Sequence, residues 1–183
     1  MKDRKILIAY FSHGGENLVD DEIVDIGEVG NTKKAALELA AQLESKGYKP
    51  NLFEIDTLIP YPFDYDQTNA RARQEKQDGA LPLINDGPNN YELYDLIFLG
   101  YPNWWGTAPA PIFSFLRDHN TDGKTIVPFI THGGQMFMHS LDDIASEAKG
   151  ANLRKGFAIA AAYLSAAPDV IRSWLNENHD LFE

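Results

Sequence analysis

Short apolar runs alternate along this chain with longer stretches in which apolar residues recur every three or four positions. The runs predict five strands, and the first is apolar at all six positions, which is typical of a strand buried on both faces. The predicted strands cover residues 6–11, 52–55, 96–100, 125–130 and 157–160. In the fourth, Pro128 cannot donate to a ladder and therefore predicts a bulge or a local break.

The stretches between the strands predict helices. These cover residues 32–44, 69–77, 112–117 and 140–148, and a last helix places Val170, Ile171, Trp174 and Leu175 on one face. The alternation predicts one domain over residues 1–183, with a parallel sheet covered by helices on both sides. Ligands of such sheets bind beyond the carboxyl ends of the strands, so we expect a site in the loops that begin at Ser12, Gly100 and Thr131.

Composition and charge remove several classes of function. The chain has no cysteine, which excludes disulfides, thiol catalysis and iron–sulfur ligation by this chain, so redox chemistry would need a bound cofactor. The formal net charge of -11 argues against nucleic acid and anionic membrane surfaces as partners, because their phosphates would be repelled. The acidity either keeps an abundant protein in solution or favours a basic redox partner.

No apolar run approaches the ~20 residues that a membrane span needs. The first five residues lead into only six apolar ones, whereas a secretory signal has a longer apolar stretch and a small-residue cleavage site. We therefore expect a cytoplasmic protein.

The first candidate loop combines Ser12, after the first strand, with Gly30, Asn31 and Thr32 at the start of a helix. A phosphate needs several inward N–H groups and hydroxyls, and a helix N-terminus supplies free donors and a favourable dipole. The Walker lysine and the GxGxxG spacing are both missing, so ATP and a dinucleotide are poor candidates. The alternative is an ordinary helix cap.

The second candidate loop, residues 101–109, follows the third strand and contains Trp104 and Trp105 side by side. Two adjacent tryptophans are unfavourable in water, and a planar aromatic ligand would give at least one of them a stacking partner. Pro102 restricts the backbone, while Gly106 lets main-chain groups approach a ring edge. Alternatively, both tryptophans pack on neighbouring helices or form a protein interface.

The third candidate loop is Thr131, His132, Gly133 and Gly134, directly after the fourth strand. Paired glycines predict a tight turn whose N–H groups can face a ligand. His132 could serve as an acid, a base or a metal ligand, but no carboxylate and second histidine stand at ligand spacing around it, and we predict no metal site. A hydrolase triad is also not expected, since there is no GxSxG elbow.

Taken in order, the three loops resemble those of the flavodoxin family, in a branch with a Trp-Trp-Gly-Thr loop, and the resemblance covers nearly the whole chain. It implies a flavodoxin-like three-layer α/β sandwich, with a five-stranded parallel sheet of order 2-1-3-4-5 and FMN at its carboxyl edge. It further implies phosphate binding by Ser12, Gly30, Asn31 and Thr32, flanking of the isoalloxazine by Pro102, Asn103, Trp104, Trp105 and Gly106, and closure of its other edge by Thr131, His132, Gly133 and Gly134.

Two segments depart from the pattern of ordinary flavodoxins. Residues 15–29 intervene between the first loop and Gly30, where the first strand usually runs directly into Gly-Asn-Thr. This segment is acidic, so we interpret it as an excursion that leaves Ser12 and Gly30 close in space and that either covers the flavin or shapes a docking surface. Residues 135–138, Gln-Met-Phe-Met, are largely apolar and could pack beneath the flavin or form part of a partner surface.

The resemblance implies a low-potential one-electron carrier that works between redox partner proteins with a basic docking face. One alternative is an FMN-dependent NAD(P)H:quinone oxidoreductase of the same fold, against which the sequence shows no evident second pocket for a nicotinamide cofactor. Another is a flavin-free binding module that uses the tryptophan loop as an interface, because fold alone does not guarantee a cofactor.

Overall fold

A parallel sheet of six strands lies at the centre of the computed structural model, which describes residues 4–182. In chain order the strands are β1 (Ile6–Tyr10), β2 (Glu16–Val19), β3 (Glu22–Asp25), β4 (Asn51–Glu54), β5 (Leu96–Pro102), β6 (Thr125–His132), β7 (Asn152–Leu153) and β8 (Phe157–Ala160). The main sheet runs β4-β1-β5-β6, and β7 and β8 both pair with β6 at its far edge. The predicted strand order is therefore confirmed, except that two short strands, β7 and β8, occupy the place of the predicted fifth strand.

Pro128 explains why that edge is divided. Its pairing with β5 is continuous, because Leu99 lies opposite it in an unbroken register. The N–H of Thr125 faces β5, and N–H groups alternate in direction along a strand, so the position of Pro128 faces the other side. There β7 pairs only up to Ile126 and β8 begins only at Phe129. The predicted local break in the ladder is confirmed on this side alone.

The helices cover both faces of the sheet, as predicted. They are α1 (Asn31–Ser45), α2 (Tyr65–Asp78), α3 (Ala110–Asp118), α4 (Ser140–Glu147) and α5 (Ala167–Glu177). One core lies between the sheet and α1 with α5, where Ile171, Trp174 and Leu175 are buried. A second core lies between the opposite face and α3 with α4. Because both faces are covered, all five residues of β1 are buried, and each large apolar side chain there contributes about 1.5–3 kcal/mol.

The acidic segment after β1 forms an antiparallel hairpin of β2 and β3, a structure that the sequence analysis did not predict. Its two-residue turn, Asp20 and Asp21, has positive φ at both positions, which the hairpin turns of this length require and which aspartate tolerates. Every residue of β3 is exposed, whereas β2 is half-buried, so the hairpin packs through β2.

The α2 helix begins four residues before its predicted start. Asp64 caps it by accepting a hydrogen bond from the Gln67 N–H, and Gly79 ends it with a left-handed backbone. Among residues 4–182, no helix is long and apolar enough to cross a membrane.

Candidate functional site

An open cleft of about 240 Å³ lies at the carboxyl edge of the sheet, where β1, β5 and β6 end. We call it the first cleft. All three predicted loops contribute to it, and so do β2 of the hairpin and one side of α2. Eight of the predicted binding residues line it: Asn31, Pro102, Asn103, Trp104, Trp105, Thr131, His132 and Gly133.

The first loop closes around Gly30, as predicted. Ser12 Oγ accepts a hydrogen bond from the Lys33 N–H at 3.0 Å, so a residue 21 positions away caps α1. Gly30 has an ordinary extended backbone, but a Cβ there would lie 2.4 Å from both Ser12 Oγ and the His13 carbonyl oxygen. Glycine is therefore required by space rather than by conformation.

The start of α1 can receive an anion. With the Lys33 N–H on Ser12 and the Lys34 N–H on the Gly30 carbonyl, no protein acceptor within residues 4–182 takes the N–H groups of Asn31 and Thr32. The first turn contains no acidic residue, and it carries two lysines. The ammonium of Lys33 is already paired with Glu54 at 2.5 Å, so the free donors and the helix dipole make up most of the attraction.

Short hydrogen bonds join the three loops. The hydroxyls of Thr32 and Thr131, both buried, lie 2.8 Å apart. The Asn103 N–H donates to the Thr131 carbonyl oxygen at 2.9 Å. These bonds hold the end of β6 between the start of α1 and the tryptophan loop, so the three predicted segments form one site.

Trp104 forms a partly buried wall of the first cleft. Its ring meets Phe11, His13 and Tyr61 edge to face, with centroids 5.1–5.8 Å apart. Such pairs stabilise beyond the area that they bury. Trp104 thus packs on three aromatic residues and still faces the cleft. Packing inside the protein, the alternative given above, therefore accounts for only part of its surface.

Trp105 is held in a different way. It and Gly106 form a tight turn between Trp104 and Thr107, which exchange two backbone hydrogen bonds. Both turn residues have positive φ, an uncommon conformation for tryptophan. The indole is 42% exposed and donates to the Asn69 carbonyl oxygen of α2 at 3.3 Å. The turn therefore presents an aromatic ring at the mouth of the cleft.

His13 was not among the predicted site residues, but it lines the first cleft beside Trp104. Its ring also meets Tyr61, with centroids 6.3 Å apart. The Nε2 atom is buried and has no hydrogen-bond partner among residues 4–182. Burial lowers the pKa of His13, so the ring is neutral and presents an unused polar atom at the site.

His132 ends β6 at the floor of the cleft. Its Nδ1 accepts a hydrogen bond from the Gly134 N–H at 2.9 Å, which requires an unprotonated Nδ1. Burial lowers the pKa of this histidine too. A neutral ring with its proton on Nε2 fits this bond, so His132 can donate from Nε2.

Five predicted residues lie beside the cleft without lining it: Ser12, Gly30, Thr32, Gly106 and Gly134. The main-chain groups of Gly106 are both used within the protein, since its N–H donates to Asn103 Oδ1 and its carbonyl accepts from the His139 N–H. They are thus not free to approach a ring edge, contrary to expectation. The Gly134 N–H is likewise occupied by His132.

The hairpin and α2 supply a wall that the sequence analysis missed. Glu16, Asn17 and Leu18 of β2 line the cleft opposite the tryptophan loop. Glu16 is anchored twice, because its N–H donates to the Phe63 carbonyl and its Oε2 accepts from the Tyr65 N–H. The two aspartates between apolar pairs were the available signal for this hairpin. From α2, the residues Tyr65, Thr68, Asn69 and Ala72 line the cleft.

The Met-rich segment at 135–138 lies at the rim. Met136 and Met138 are 53% and 56% exposed, whereas Phe137 packs against the second core. Asn103 Nδ2 donates to the Met136 carbonyl oxygen at 2.5 Å, which attaches the segment to the tryptophan loop. The two methionines thus extend the exposed apolar rim that begins at Trp105.

A second cleft, of about 360 Å³, lies on the other side of Trp104. It is enclosed by the C-terminal half of α2, the loop after Trp104, α3 and α4. The two clefts share Trp104 and Ala72 as wall residues. The structure therefore contains a second cleft, which does not by itself identify a nicotinamide site.

Fold and site together define a doubly wound α/β protein whose candidate ligand site joins a helix N-terminus to an aromatic loop. A family model for flavodoxins matches residues 5–178. The chain belongs to the flavodoxin family. No curated protein sequence matches it significantly.

Similar solved structures agree with this assignment. A presumed flavoprotein from Bacteroides eggerthii DSM 20697 is 30% identical, with a TM-score of 0.73 over 94% of this chain and 96% of that one. Another, from Bacteroides uniformis ATCC 8492, is 25% identical, with a TM-score of 0.72 over 93% and 99%. A flavoprotein from Lactobacillus acidophilus NCFM, solved in complex with FMN, is 24% identical, with a TM-score of 0.67 over 85% and 93%.

Proposed function

We propose that this protein binds one FMN in the first cleft without a covalent bond and transfers electrons through it. The observation that carries the proposal is that two features meet at one edge of the sheet. One is a helix start with free N–H groups, and the other is a loop that presents two tryptophans. The first suits a phosphate and the second a planar aromatic ring. When bound, FMN supplies one- and two-electron redox chemistry. Membership of the flavodoxin family supports the choice of FMN.

The residues at the start of α1 fit the phosphate. The N–H groups of Asn31 and Thr32 are the free donors, and the hydroxyl of Ser12 can donate while it accepts from Lys33. The carboxylates of the acidic segment at residues 15–29 are mainly in solvent, since five of its six acidic residues are exposed and Glu16 is bound to the start of α2. Phosphate repulsion is thereby limited.

The remaining loops fit the isoalloxazine. Trp104 and Trp105 provide aromatic surface, and the loop at the end of β6 provides polar groups at the opposite edge. His132 can donate from Nε2, and the ring of His13 lines the cleft with an Nε2 that has no hydrogen-bond partner among residues 4–182. Thus the Trp-Trp-Gly-Thr loop is the proposed flavin loop of this chain.

The proposed role is that of a low-potential electron carrier. A net charge of -11 and the aromatic wall of Trp104 and Trp105 both disfavour added negative charge on a bound cofactor. No side chain has to act as an acid or base, since the exposed rim allows contact with a partner. Trp105, Met136 and Met138 form that rim, and the net charge of -11 suits a redox partner protein with a basic face.

The first test is an absorbance spectrum of the purified protein after excess FMN has been removed, followed by stepwise photoreduction. A retained flavin spectrum and two separate one-electron steps are expected, with the second step at a lower potential than for free FMN. Reduction in a single two-electron step would contradict the carrier role. A colourless protein that ignores added FMN would overturn the proposal and leave a binding module on this fold.

The second cleft gives one reason to keep the NAD(P)H:quinone oxidoreductase as a second candidate. However, three carboxylates and one lysine line the second cleft, a balance that disfavours the phosphates of a nicotinamide cofactor. Steady oxidation of NADH or NADPH by the FMN-loaded protein, with a quinone as acceptor, would favour the enzyme. We expect oxidation no faster than with free FMN at the same concentration.

A further inference from the structure

We infer that the second cleft is a binding site for a small organic ammonium compound with an apolar body. Its volume of about 360 Å³ lies within the 300–1,000 Å³ that small-molecule sites span. The site does not depend on FMN, so its test and that of the proposed function can fail separately.

The lining of the second cleft is mostly apolar. Trp104, Ala108, Pro109 and Phe113 form one side, and the chain after α2, up to Leu81, forms another. Mostly apolar walls with a few polar groups are the usual composition of a small-molecule site. An apolar body of one ring size can therefore be buried here.

The polar groups of the cleft are dominated by carboxylates. Asp143 accepts a hydrogen bond from the Thr107 hydroxyl, and among residues 4–182 neither it nor Glu147 has an ion-pair partner. Glu75 also lines the cleft, but Arg71 and the Tyr61 hydroxyl already bind its carboxylate. Two uncompensated negative charges thus face the cleft.

One cation, Lys76, lines the cleft against three carboxylates, so the charged groups of the lining are negative on balance. The ammonium of Lys76 donates to the Trp105 carbonyl oxygen at 2.5 Å. Glu147, by contrast, is the last residue of α4, where the negative end of the helix dipole makes a carboxylate unfavourable and a cation favourable. A ligand ammonium at this end would offset the repulsion between the Glu147 carboxylate and the helix dipole, whereas a carboxylate or phosphate ligand would be repelled. Charge complementarity therefore selects a cation.

Three probes that share one ring test this inference on the cofactor-free protein: benzylamine, benzyl alcohol and benzoate. Titration followed by ¹H–¹⁵N NMR should move the signals of Trp104 and Phe113. Benzylamine should bind about fivefold more tightly than benzyl alcohol, as a partly exposed ion pair allows, and benzoate should not bind measurably. Equal affinities for the three probes, or no benzylamine binding at millimolar concentration, would overturn the inference.

Two variants assign the binding to this cleft. Ala110→Leu adds bulk to a half-buried wall position and should weaken benzylamine and benzyl alcohol together by about tenfold. Glu147→Gln keeps the shape and should weaken only benzylamine, by about threefold. Glu177→Gln, which removes an exposed charge at the end of α5, is the matched control and should change neither. Benzylamine affinity that ignores both Ala110→Leu and Glu147→Gln would place the probe elsewhere and contradict the inference.

Discussion

The α1 end of the first cleft consists of Ser12 and residues 30–33. The positions of these residues are fixed by close packing of the chain against Gly30. At the tryptophan end, residues 102–106, positions are set by packed aromatic side chains. Nothing larger than a hydrogen fits at Gly30, whereas Trp104 is held by three aromatic neighbours. We therefore expect the first arrangement to be the more rigid of the two, and the second to tolerate ligands of related shape. A proposed phosphate end of this kind, beside an adaptable ring wall, would hold the cofactor mainly at one end.

The largest effect should come from Trp104→Ala. Truncating this partly buried aromatic residue removes transfer free energy and leaves a cavity, so we expect a loss of about 3 kcal/mol in unfolding free energy, at the low end for aromatic truncations, measured by urea denaturation of the cofactor-free protein. Trp105→Ala should change it by less than about 0.5 kcal/mol, because the ring is exposed. Both variants should weaken FMN binding. Equal stability losses would contradict the different roles of the two tryptophans.

Gly30→Ala should have the next largest effect. Its Cβ would overlap Ser12 Oγ and the His13 carbonyl oxygen, and overpacking of this kind costs about 1–3 kcal/mol. Gly133→Ala is the matched control, since its Cβ would meet only Leu18, with the carbonyl oxygen at an ordinary 3.5 Å and Cδ2 at 3.9 Å. Thermal unfolding of both variants, without FMN, checks the difference. A Gly30→Ala variant as stable as Gly133→Ala would show that the first loop can relax and is not rigid.

Much of this architecture could be predicted because short stretches of sequence specify its strands. Strands such as β5 are continuous apolar runs, and in a parallel sheet their carboxyl ends meet at one edge. Loops that follow them therefore converge, whatever their detailed conformation. Two hydrogen bonds join the converging loops, one between Thr32 and Thr131 and one between Asn103 and Thr131.

The opposite wall could not be predicted, because its position depends on contacts between distant parts of the chain. The hairpin is fixed by Glu16, which binds backbone groups of Phe63 and Tyr65 nearly 50 residues away. The α2 helix is predicted only over the highly charged residues 69–77, without a face that packs on the protein. Its small, partly apolar side, with Thr68 and Ala72 buried, is too narrow to stand out in the sequence.

The unfolding free energy should depend on pH through His13 and His132, the two histidines of the first cleft. Burial lowers the pKa of both His13 and His132, so near and below pH 6.5 the unfolded chain binds more protons than the folded one. Unfolding free energy of the cofactor-free protein should therefore be highest above pH 6.5 and fall as the pH drops through the folded pKa values, by at most about 1.4 kcal/mol per pH unit for each proton.

Variants assign this titration. His13→Gln and His132→Gln should each flatten the dependence, and His132→Gln should also release the Gly134 N–H. A curve that stays as steep in the double variant of His13 and His132 as in the parent would show that carboxylates, not these rings, control it.

The smallest effect should come from Glu16→Gln, which tests whether the hairpin covers the first cleft. The carboxylate of Glu16 accepts from the Tyr65 N–H at the positive end of α2, and such a charge contributes about 0.3–1 kcal/mol. Glutamine keeps an acceptor but loses the charge, so stability should fall by about 0.5 kcal/mol while hydrogen exchange in β2 accelerates. If β2 covers the bound cofactor, FMN should also dissociate about twofold faster. Glu22→Gln, on the exposed β3 of the same hairpin, should change none of these quantities. Faster exchange with unchanged FMN dissociation would mean that the hairpin borders the cleft without retaining its ligand, and that the α1 end alone holds the cofactor.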